Sequence, residues 1–479
     1  MFSPVYTDRV LEPAYHNWKA LYAEDLLAVH KAHLLGLVAQ NIIPEERGRR
    51  IAGAIEAMEE DFSYPAAIPP SVEDLYFVYE RELGVRIGAE DAAFLHTARS
   101  RNDMDTTVFR MALRRALLRF EGEALGLLEA LSARARRGAG ELTVLYTHGQ
   151  PANVSTMGHY LSAFAGEIAE DLAVLAGATG AVDRSTMGAC AITGTGFPLD
   201  RRGVSERLGF SGFIVNTYEA ISTSHWLTRP AAAVEALMQD CTRLVADLSH
   251  KASCEVGIVT FPDALVQSSS IMPQKRNPVI LEHARIQAGL AAGYCASIRE
   301  LYRNVPYQDV NEAADAPVSE LFKALELASS AVALVREIAE NVGSDEARVR
   351  GIAAAFGVTT TELADTMVRE TGIGFRSAHE VCSRFVASGN DPATLRKAFL
   401  EISGKPLPFD DPTITAILEP GRFVAVRGLP GGPAPAGMVP VFEALDAAVA
   451  GLKAGLSGAL ARIDSAAIAL QRDWQGLLP

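Results

Sequence analysis

Three short polar segments hold the residues whose types and spacing suit acid–base or carboxylate chemistry. The first, residues 95–103, reads LHTARSRND and brings Ser100, Arg101 and Asn102 together. Arginine forms a bidentate fork on a carboxylate, and serine and asparagine add neutral donors. The pattern indicates carboxylate binding, but it also fits a helix start that is capped by Asn102 or Asp103 and leaves its arginines solvated.

The second segment, YTHGQ at residues 146–150, places two hydroxyls, an imidazole and an amide on what reads as a loop before a helix. Thr147 offers a hydroxyl to a ligand, and His148 has the chemistry of a general acid or base near neutral pH. A lone histidine is more often structural than catalytic, so the motif by itself leaves both interpretations open.

The third segment, residues 267–283, reads QSSSIMPQKRNPVILEH. Asn277 as N-cap and Pro278 at the first helical position predict a helix start. That prediction leaves the serines and Lys275 unexplained, and a small polar stretch of this kind is typical of a mobile active-site loop. Lys275, close to a helix N-terminus, would stabilise a developing negative charge, and Glu282 could face a histidine from elsewhere. Together the three segments indicate a small polyanionic substrate without naming a reaction.

The elements that must position these segments are helices. Long stretches of helical periodicity occupy residues 106–131, 155–181, 218–256, 279–301 and 317–342. They predict an all-α fold with a long central five-helix bundle, which exposes enough apolar surface to favour oligomerisation. Strand signals are few, at 213–215 and 423–426. We expect an N-terminal helical domain at 1–101, the bundle at 102–346 and a small helical domain at 347–479.

Composition excludes several other classes of function. The 479 residues carry a net charge of −14, which argues against nucleic acid as a partner. No apolar run reaches the roughly 18–20 residues that span a bilayer, so we expect no membrane association. The five cysteines are odd in number and form no CxxC pair, which predicts reduced thiols in a cytoplasmic protein and no zinc site.

The third segment resembles the signature of the aspartase/fumarase superfamily, Ser-Ser-x-Met-Pro-x-Lys-x-Asn-Pro, from Ser269 to Pro278. The first segment is similar to the His-Thr-Gly-Arg-Ser-Arg-Asn-Asp of the argininosuccinate lyase branch, with Ala98 in place of glycine. YTHGQ is similar to that branch's Tyr-Thr-His-x-Gln, and residues 361–365, 375–379 and 430–432 also resemble it. The resemblance covers nearly the whole chain.

This resemblance implies a homotetramer of three-domain subunits around a twenty-helix core, with each active site built by three subunits. It implies cofactor-free, metal-free anti elimination that releases fumarate, with Ser269 as general base and Lys275 and Asn277 holding the aci-carboxylate intermediate. His148 would pair with Glu282 and bind substrate or protonate the leaving nitrogen. The remaining substrate-binding residues that it implies are Ser100, Arg101, Asn102, Thr147, Ser270 and Met272.

The sequence departs from the branch mainly where the amine would bind. The departures are Leu26, Ala28 and Val29 for Ile-x-Gly-Ser, Tyr76 for histidine, Asn153-Val154 for Gln-Pro, Asn311 for glutamine and Ala314 for lysine. They favour a carbon–nitrogen lyase for an N-substituted aspartate whose amine is not arginine, such as an aminopolycarboxylate. Two alternatives are argininosuccinate lyase itself with a diverged pocket and a non-catalytic, crystallin-like tetramer. Ser268 also replaces the usual glycine before the serine pair.

Overall fold

Helices form most of the protein, whose computed structural model describes residues 2–313 and 315–479. Ala314, one of the departures from the branch, lies outside the described residues. The helices are α1 (Pro4–Tyr6), α2 (Glu12–Leu21), α3 (Ala23–Ala39), α4 (Glu45–Asp61), α5 (Leu75–Ile87), α6 (Ala89–Ala93), α7 (Arg101–Arg137), α8 (Met157–Val182), α9 (Arg201–Arg207), α10 (Thr217–Ser222), α11 (His225–Lys251), α12 (Val279–Leu301), α13 (Asp315–Asn341), α14 (Glu346–Phe356), α15 (Thr360–Thr371), α16 (Phe375–Ala387), α17 (Pro392–Ser403), α18 (Asp411–Ile417), α19 (Pro420–Ala425) and α20 (Pro435–Leu477). A π-helix spans Thr7–Leu11, and 3₁₀ turns span Phe94–His96, Asp263–Leu265 and Asn311–Ala313.

The predicted all-α fold with a five-helix bundle is confirmed. Helix α7 packs on α8 and α13, α11 packs on α8 and α12, and α12 packs on α13. The periodic stretch at 218–256 is not one helix, because Thr223 adopts an extended backbone (ψ 137°) between α10 and α11. The other four stretches each become a single helix.

Helices α7 and α8 are joined by a short hairpin and run side by side in opposite directions. The bundle therefore has a Ser100 end, where α7 begins and α8 ends, and a hairpin end, where α7 ends and α8 begins. Two buried arginines of α7 stabilise the C-terminal end of α8: Arg110 donates to the carbonyl oxygen of Ala181 at 2.9 Å, and Arg114 donates to Asp183 at 2.8 Å. Cations are favourable there because carbonyls left free at a helix C-terminus carry partial negative charge.

Six short strands pair into three two-stranded ribbons. They are β1 (Leu142–Thr147), β2 (Gln150–Thr156), β3 (Val259–Thr260), β4 (Gln267–Ser268), β5 (Arg276–Asn277) and β6 (Gly343–Ser344). Both predicted strands are wrong. Phe213 makes only an isolated bridge with Ser185, and residues 423–425 belong to α19. A short apolar run fits a buried helix as well as a strand, so periodicity could not separate them.

The main hydrophobic core extends from the N-terminal helices through the bundle to α20. A second core lies within residues 363–418, where α15 to α18 pack on one another. Helix α20 packs on α7 and α8, so its 43 residues join the main core and not the second one. The division at residues 101 and 346 stays a prediction.

Helix α20 is also the one described helix that is long and apolar enough to cross a membrane by length and composition. The sequence had predicted no such run. Its most apolar window has a mean hydropathy of 1.3 and is 17% buried within the chain. One helix of this kind is weak evidence for a span, because alanine- and glycine-rich helices that pack against protein pass the same test.

Candidate active site

The first predicted segment forms the start of α7. Ser100 is the N-cap, and Asp103 completes a capping box by accepting the Ser100 N–H at 2.8 Å. The expected cap at Asn102 or Asp103 was therefore wrong by two or three residues. Asp103 also accepts the N–H groups of Gly188 and Cys190, at 2.8 and 3.0 Å. These bonds fix the backbone around Ser100, so its hydroxyl and the Asn102 amide are held on a rigid helix end.

Arg101 of this segment is ion-paired and is not simply solvated. Arg101 forms ion pairs with Asp74 and with Asp105, the latter at 2.8 Å. Burial opposes the charge of Arg101, but Asp105 and Asp74 outweigh it and raise its pKa. Burial raises the pKa of Asp105 to about 6 even though Arg101 opposes the shift. Arg101 therefore meets any substrate with its charge already shared between two carboxylates.

The second segment is the tip of the β1–β2 hairpin, not a loop leading into a helix. Thr147 pairs with Gln150, and the two residues between them, His148 and Gly149, both have positive φ (53° and 75°). That is the backbone of a type I′ turn, which glycine adopts without strain at the second position. Thr147 and His148 are exposed at this tip.

The third segment also folds as a hairpin. Strand β4 pairs with β5, with Ser268 opposite Arg276, and the Ser269 N–H donates to the Lys275 carbonyl oxygen at 3.2 Å. Inside this loop the Ser269 Oγ accepts the N–H of Met272 at 3.0 Å and that of Ile271 at 3.4 Å. The serine is thus held by its own loop, and its oxygen lies where backbone donors can stabilise negative charge.

The predicted helix start after this segment is one residue early. Helix α12 begins at Val279 with Pro278 as its N-cap, and Asn277 lies in β5. The turn at Pro278 still brings Lys275, Asn277 and Glu282 to one side. They line a groove of about 570 Å³ together with Ser249, residues 252–254, Gln274, Arg276 and Arg285. The groove collects three cationic side chains and two amides beside one carboxylate, a composition suited to an anion.

The structure does not bring the three segments together within one chain. Helix α7 has 37 residues, which at 1.5 Å per residue separates its two ends by roughly 55 Å. Ser100 lies at one end, whereas the hairpin with His148 follows the other end. The groove with Lys275 also lies at the hairpin end, because Ser249 in the last turn of α11 and Ala252 just after that helix line it. Among the described residues, His148 and Glu282 form no hydrogen bond or ion pair with each other.

Comparison with known proteins finds relatives over most of the chain. A family model described as Lyase matches residues 11–293, and one described as argininosuccinate lyase C-terminal matches residues 357–425. The chain is 37% identical to argininosuccinate lyase 2 of Agrobacterium fabrum, over 92% of this chain and 90% of that protein. It is 33% identical to the argininosuccinate lyase of Methanothermobacter thermautotrophicus, over 84% of this chain and 88% of that protein.

The chain belongs to the lyase family, in its argininosuccinate lyase-like branch. Its enzyme class is that of the branch, the carbon–nitrogen lyases that release fumarate. The crystal structure of EDDS lyase in complex with formate matches with a TM-score of 0.85 at 27% identity, over 96% of this chain and 92% of that one. An EDDS lyase variant with bound fumarate matches over the same shares with a TM-score of 0.84 at 27% identity.

One position at which this lyase departs from its branch, Tyr76, has internal partners, and so has Asp25, which lies beside another departure. Tyr76 donates its hydroxyl to Glu80 at 2.7 Å and lies 2.6 Å from Nδ1 of His96. Asp25, next to the altered residues Leu26 to Val29, is buried and bonded through both oxygens to Arg115, one of them at 2.8 Å. These groups therefore have hydrogen-bond partners within the chain.

Sequence reasoning missed some residues that support the candidate site. Asp105 lies four residues after Arg101 on α7, a spacing at which an ion pair could have been expected. Lys251 was also missed, although it continues the apolar face formed by Leu244 and Leu248 and is buried with them. A lysine in an apolar stripe is a signal of an internal partner, because an unpaired buried ammonium is costly.

Proposed function

We propose that this lyase eliminates fumarate from an N-substituted L-aspartate whose amine is not arginine, with Ser269 as the general base. The observation that carries the proposal is the bonding of the Ser269 Oγ, which accepts two backbone N–H groups inside the serine hairpin, residues 267–277. Hydrogen bonds to the charged form of a group lower its pKa, so these donors favour the alkoxide that a serine base requires.

In the proposed reaction, Ser269 takes a proton from the carbon next to the one that carries nitrogen. The electrons move into the neighbouring carboxylate, which becomes an aci-carboxylate with an additional negative charge. Lys275 and Asn277 stabilise that charge, with Ser270 and the Met272 backbone at the same loop. The C–N bond then breaks to give fumarate and the amine, and His148, paired with Glu282, binds the substrate or gives a proton to the leaving nitrogen.

The other end of the substrate needs donors for its carboxylates. Ser100, Asn102 and Thr147 offer neutral donors, and Arg101 offers the N–H groups that Asp74 and Asp105 leave free. Binding therefore depends on hydrogen-bond geometry at a helix start more than on net positive charge. The chain's charge of −14 makes the Lys275 groove a comparatively rare cationic surface.

The proposed site needs more than one chain, because the Ser100 end and the hairpin end are roughly 55 Å apart. We infer a homotetramer in which sites are shared between subunits. The exposed face of α12 supports this, since Ile286 and Leu290 are each about half exposed and lie one turn apart.

Measurement of the molecular mass in solution tests whether the protein is a tetramer. Mixed oligomers of Ser100→Ala and Ser269→Ala chains should regain activity that neither variant shows alone, and failure of every mixture would contradict sharing.

The amine is proposed to be an amino acid or a diamine, as in aminopolycarboxylates. The groups for the fumarate end match the branch, whereas the positions near Asp25, Tyr76 and Asn311 do not. Argininosuccinate as the substrate is not favoured, and a non-catalytic role is not favoured either.

The test of the proposed amine measures fumarate release from argininosuccinate and from a series of N-(aminoalkyl)- and N-(carboxyalkyl)aspartates. Faster release from argininosuccinate than from every member of the series would overturn the proposed amine.

A further inference from the structure

A buried lysine lies directly beneath the hairpin that carries Thr147 and His148. Lys251, the last residue of α11, is 1% exposed. Its Nζ donates to the carbonyl oxygen of Val144 in β1 at 3.0 Å and lies 4.8 and 4.9 Å from the ring centres of Tyr146 and Tyr160. The nearest carboxylate oxygen, on Asp247, is 3.7 Å away and accepts the Tyr160 hydroxyl at 2.6 Å.

Burying the Lys251 ammonium in this environment costs desolvation free energy that its contacts do not fully offset. The ammonium has one good hydrogen bond, one long ion pair and two aromatic faces, which only partly replace its lost hydration. An apolar side chain of similar length would fill the same space without that cost, since replacing a buried ionic group by a well-packed apolar one is often neutral or stabilising. Stability alone therefore does not account for a lysine at this position.

The hairpin needs such a positional support. A two-stranded ribbon is marginal by itself, and this one is interrupted by a bulge, because Leu145 pairs with Asn153 while Tyr146 pairs with Pro151. Ala152 is the extra residue of this bulge, because the register passes over it. Pro151 weakens the pairing further, because it has no N–H to donate to the ladder. A bulge changes the direction of the strand beyond it, and the strand beyond it ends in the Thr147–His148 tip.

Lys251 contacts the hairpin on both sides of this bulge. Its hydrogen bond holds Val144 just before the bulge, and its charge lies against the Tyr146 ring just after it. Its own carbonyl oxygen accepts the N–H of Ile258 at 3.0 Å, at the start of the chain segment that leads to the serine hairpin. A second side-chain hydrogen bond to β1, from the Ser344 hydroxyl to the Leu142 carbonyl oxygen at 2.8 Å, lies farther from the tip.

We propose that Lys251 is a positioning residue for the reaction: it fixes the bulged strand so that Thr147 and His148 are held in their working orientation. This inference rests on the proposed function of the hairpin tip in the lyase reaction. Lys251 itself touches no substrate, because it is buried beneath the strand. Its effect should therefore fall on turnover, through misplacement of His148, more than on substrate affinity.

The test replaces the ammonium by an apolar side chain of similar length, Lys251→Met. We expect kcat to fall at least tenfold while KM for fumarate changes less than threefold, because a misplacement of about 1 Å can cost up to a hundredfold in rate. The melting temperature should stay within a few degrees of the wild type. Backbone amides of residues 142–156 should exchange with deuterium faster in the variant, which reports the loosened strand without an activity assay.

A matched control is Lys31→Met. Lys31 is also a buried lysine, paired with Glu59 and 5.2 Å from the centre of the Trp474 ring, but it lies between α3 and α20. This variant should leave kcat and hairpin exchange unchanged. An unchanged kcat in Lys251→Met, or a loss no larger than in Lys31→Met, overturns the positioning role. A wild-type protein that is inactive with every amine refutes the proposed function instead, and unchanged hairpin exchange then refutes the anchoring separately.

Discussion

The Oγ of Ser269 accepts the backbone N–H of Met272 at 3.0 Å, although both residues lie in an exposed loop. The contact is local, because the two residues are only three apart and belong to the same hairpin. The proposed base is therefore oriented by its own loop before any partner chain covers it. What the loop cannot supply alone is a dry environment, which a neighbouring subunit would add on assembly.

Substitution of this serine should separate chemistry from binding. In Ser269→Ala we expect kcat to fall by at least a hundredfold, since a general base typically contributes about 10²–10⁴-fold. Fumarate should still bind with an affinity within about threefold of the wild type, measured by calorimetry. Ser268→Gly is the matched control, because Ser268 is the neighbouring hydroxyl to which no role is assigned, and it should stay active. A Ser269→Ala enzyme with normal turnover would remove the serine from the mechanism.

The charge shared between Arg101 and Asp105 predicts a pH dependence of fumarate affinity. Asp105 has a pKa raised to about 6, so it gains a proton as the pH falls from 7.5 to 5.5 and Arg101 keeps only Asp74 as a charged partner. We expect KM for fumarate to fall about fivefold over this range, roughly 1 kcal/mol. In Asp105→Asn it should be low at both pH values, whereas Asp8→Asn, which removes an exposed carboxylate paired with Arg9, should behave as the wild type. A pH dependence that persists in Asp105→Asn would refute this explanation.

A second raised carboxyl pKa predicts how stability depends on pH. Glu121 of α7 is buried and accepts a hydrogen bond from the Thr179 hydroxyl, and burial raises its pKa to about 7. The unfolded chain binds fewer protons than the folded one between pH 4.3 and pH 7, so stability falls as the pH rises through that window. Glu121→Gln should therefore be more stable than the wild type at pH 8, by roughly 2 kcal/mol.

The same variant should show no such advantage near pH 4.3, where the wild-type carboxyl is already neutral. Glu129→Gln is the control on the same helix, because Glu129 is exposed and paired with Lys453. Urea unfolding of the three proteins at the two pH values decides the matter. Equal stability of Glu121→Gln and wild type at pH 8 would mean that the carboxyl is solvated in the assembled protein.

The sequence was sufficient for the long helices because their apolar residues recur every three to four positions over many turns. It also singled out three polar segments, since Ser, Arg, Asn, His and Lys have few structural reasons to cluster, and their role in a site stays a prediction. It did not reveal the β1–β2 hairpin, although Gly149, between His148 and Gln150, is the residue that a two-residue turn needs. Pro151 hides that signal, because a proline argues against a regular strand.

The contacts that the candidate site residues make could not be predicted from the sequence, for a different reason. The pairing of Arg101 with Asp74, and of Lys251 with Val144, joins residues that are distant in sequence or that share no motif. Such contacts follow from how the elements pack, which one sequence without structure does not specify. The same applies to the break at Thr223, where a continuous apolar pattern hides a change of backbone direction.

The most direct test of the central claim mixes the protein with fumarate and, one at a time, ammonia, diamines, amino acids and arginine, and follows the loss of fumarate absorbance. We expect fumarate absorbance to fall with at least one diamine or amino acid other than arginine, and mass spectrometry to detect the matching N-substituted aspartate. With Ser269→Ala we expect no fall in absorbance. No fall with any amine, together with no fumarate from argininosuccinate, would contradict the central claim.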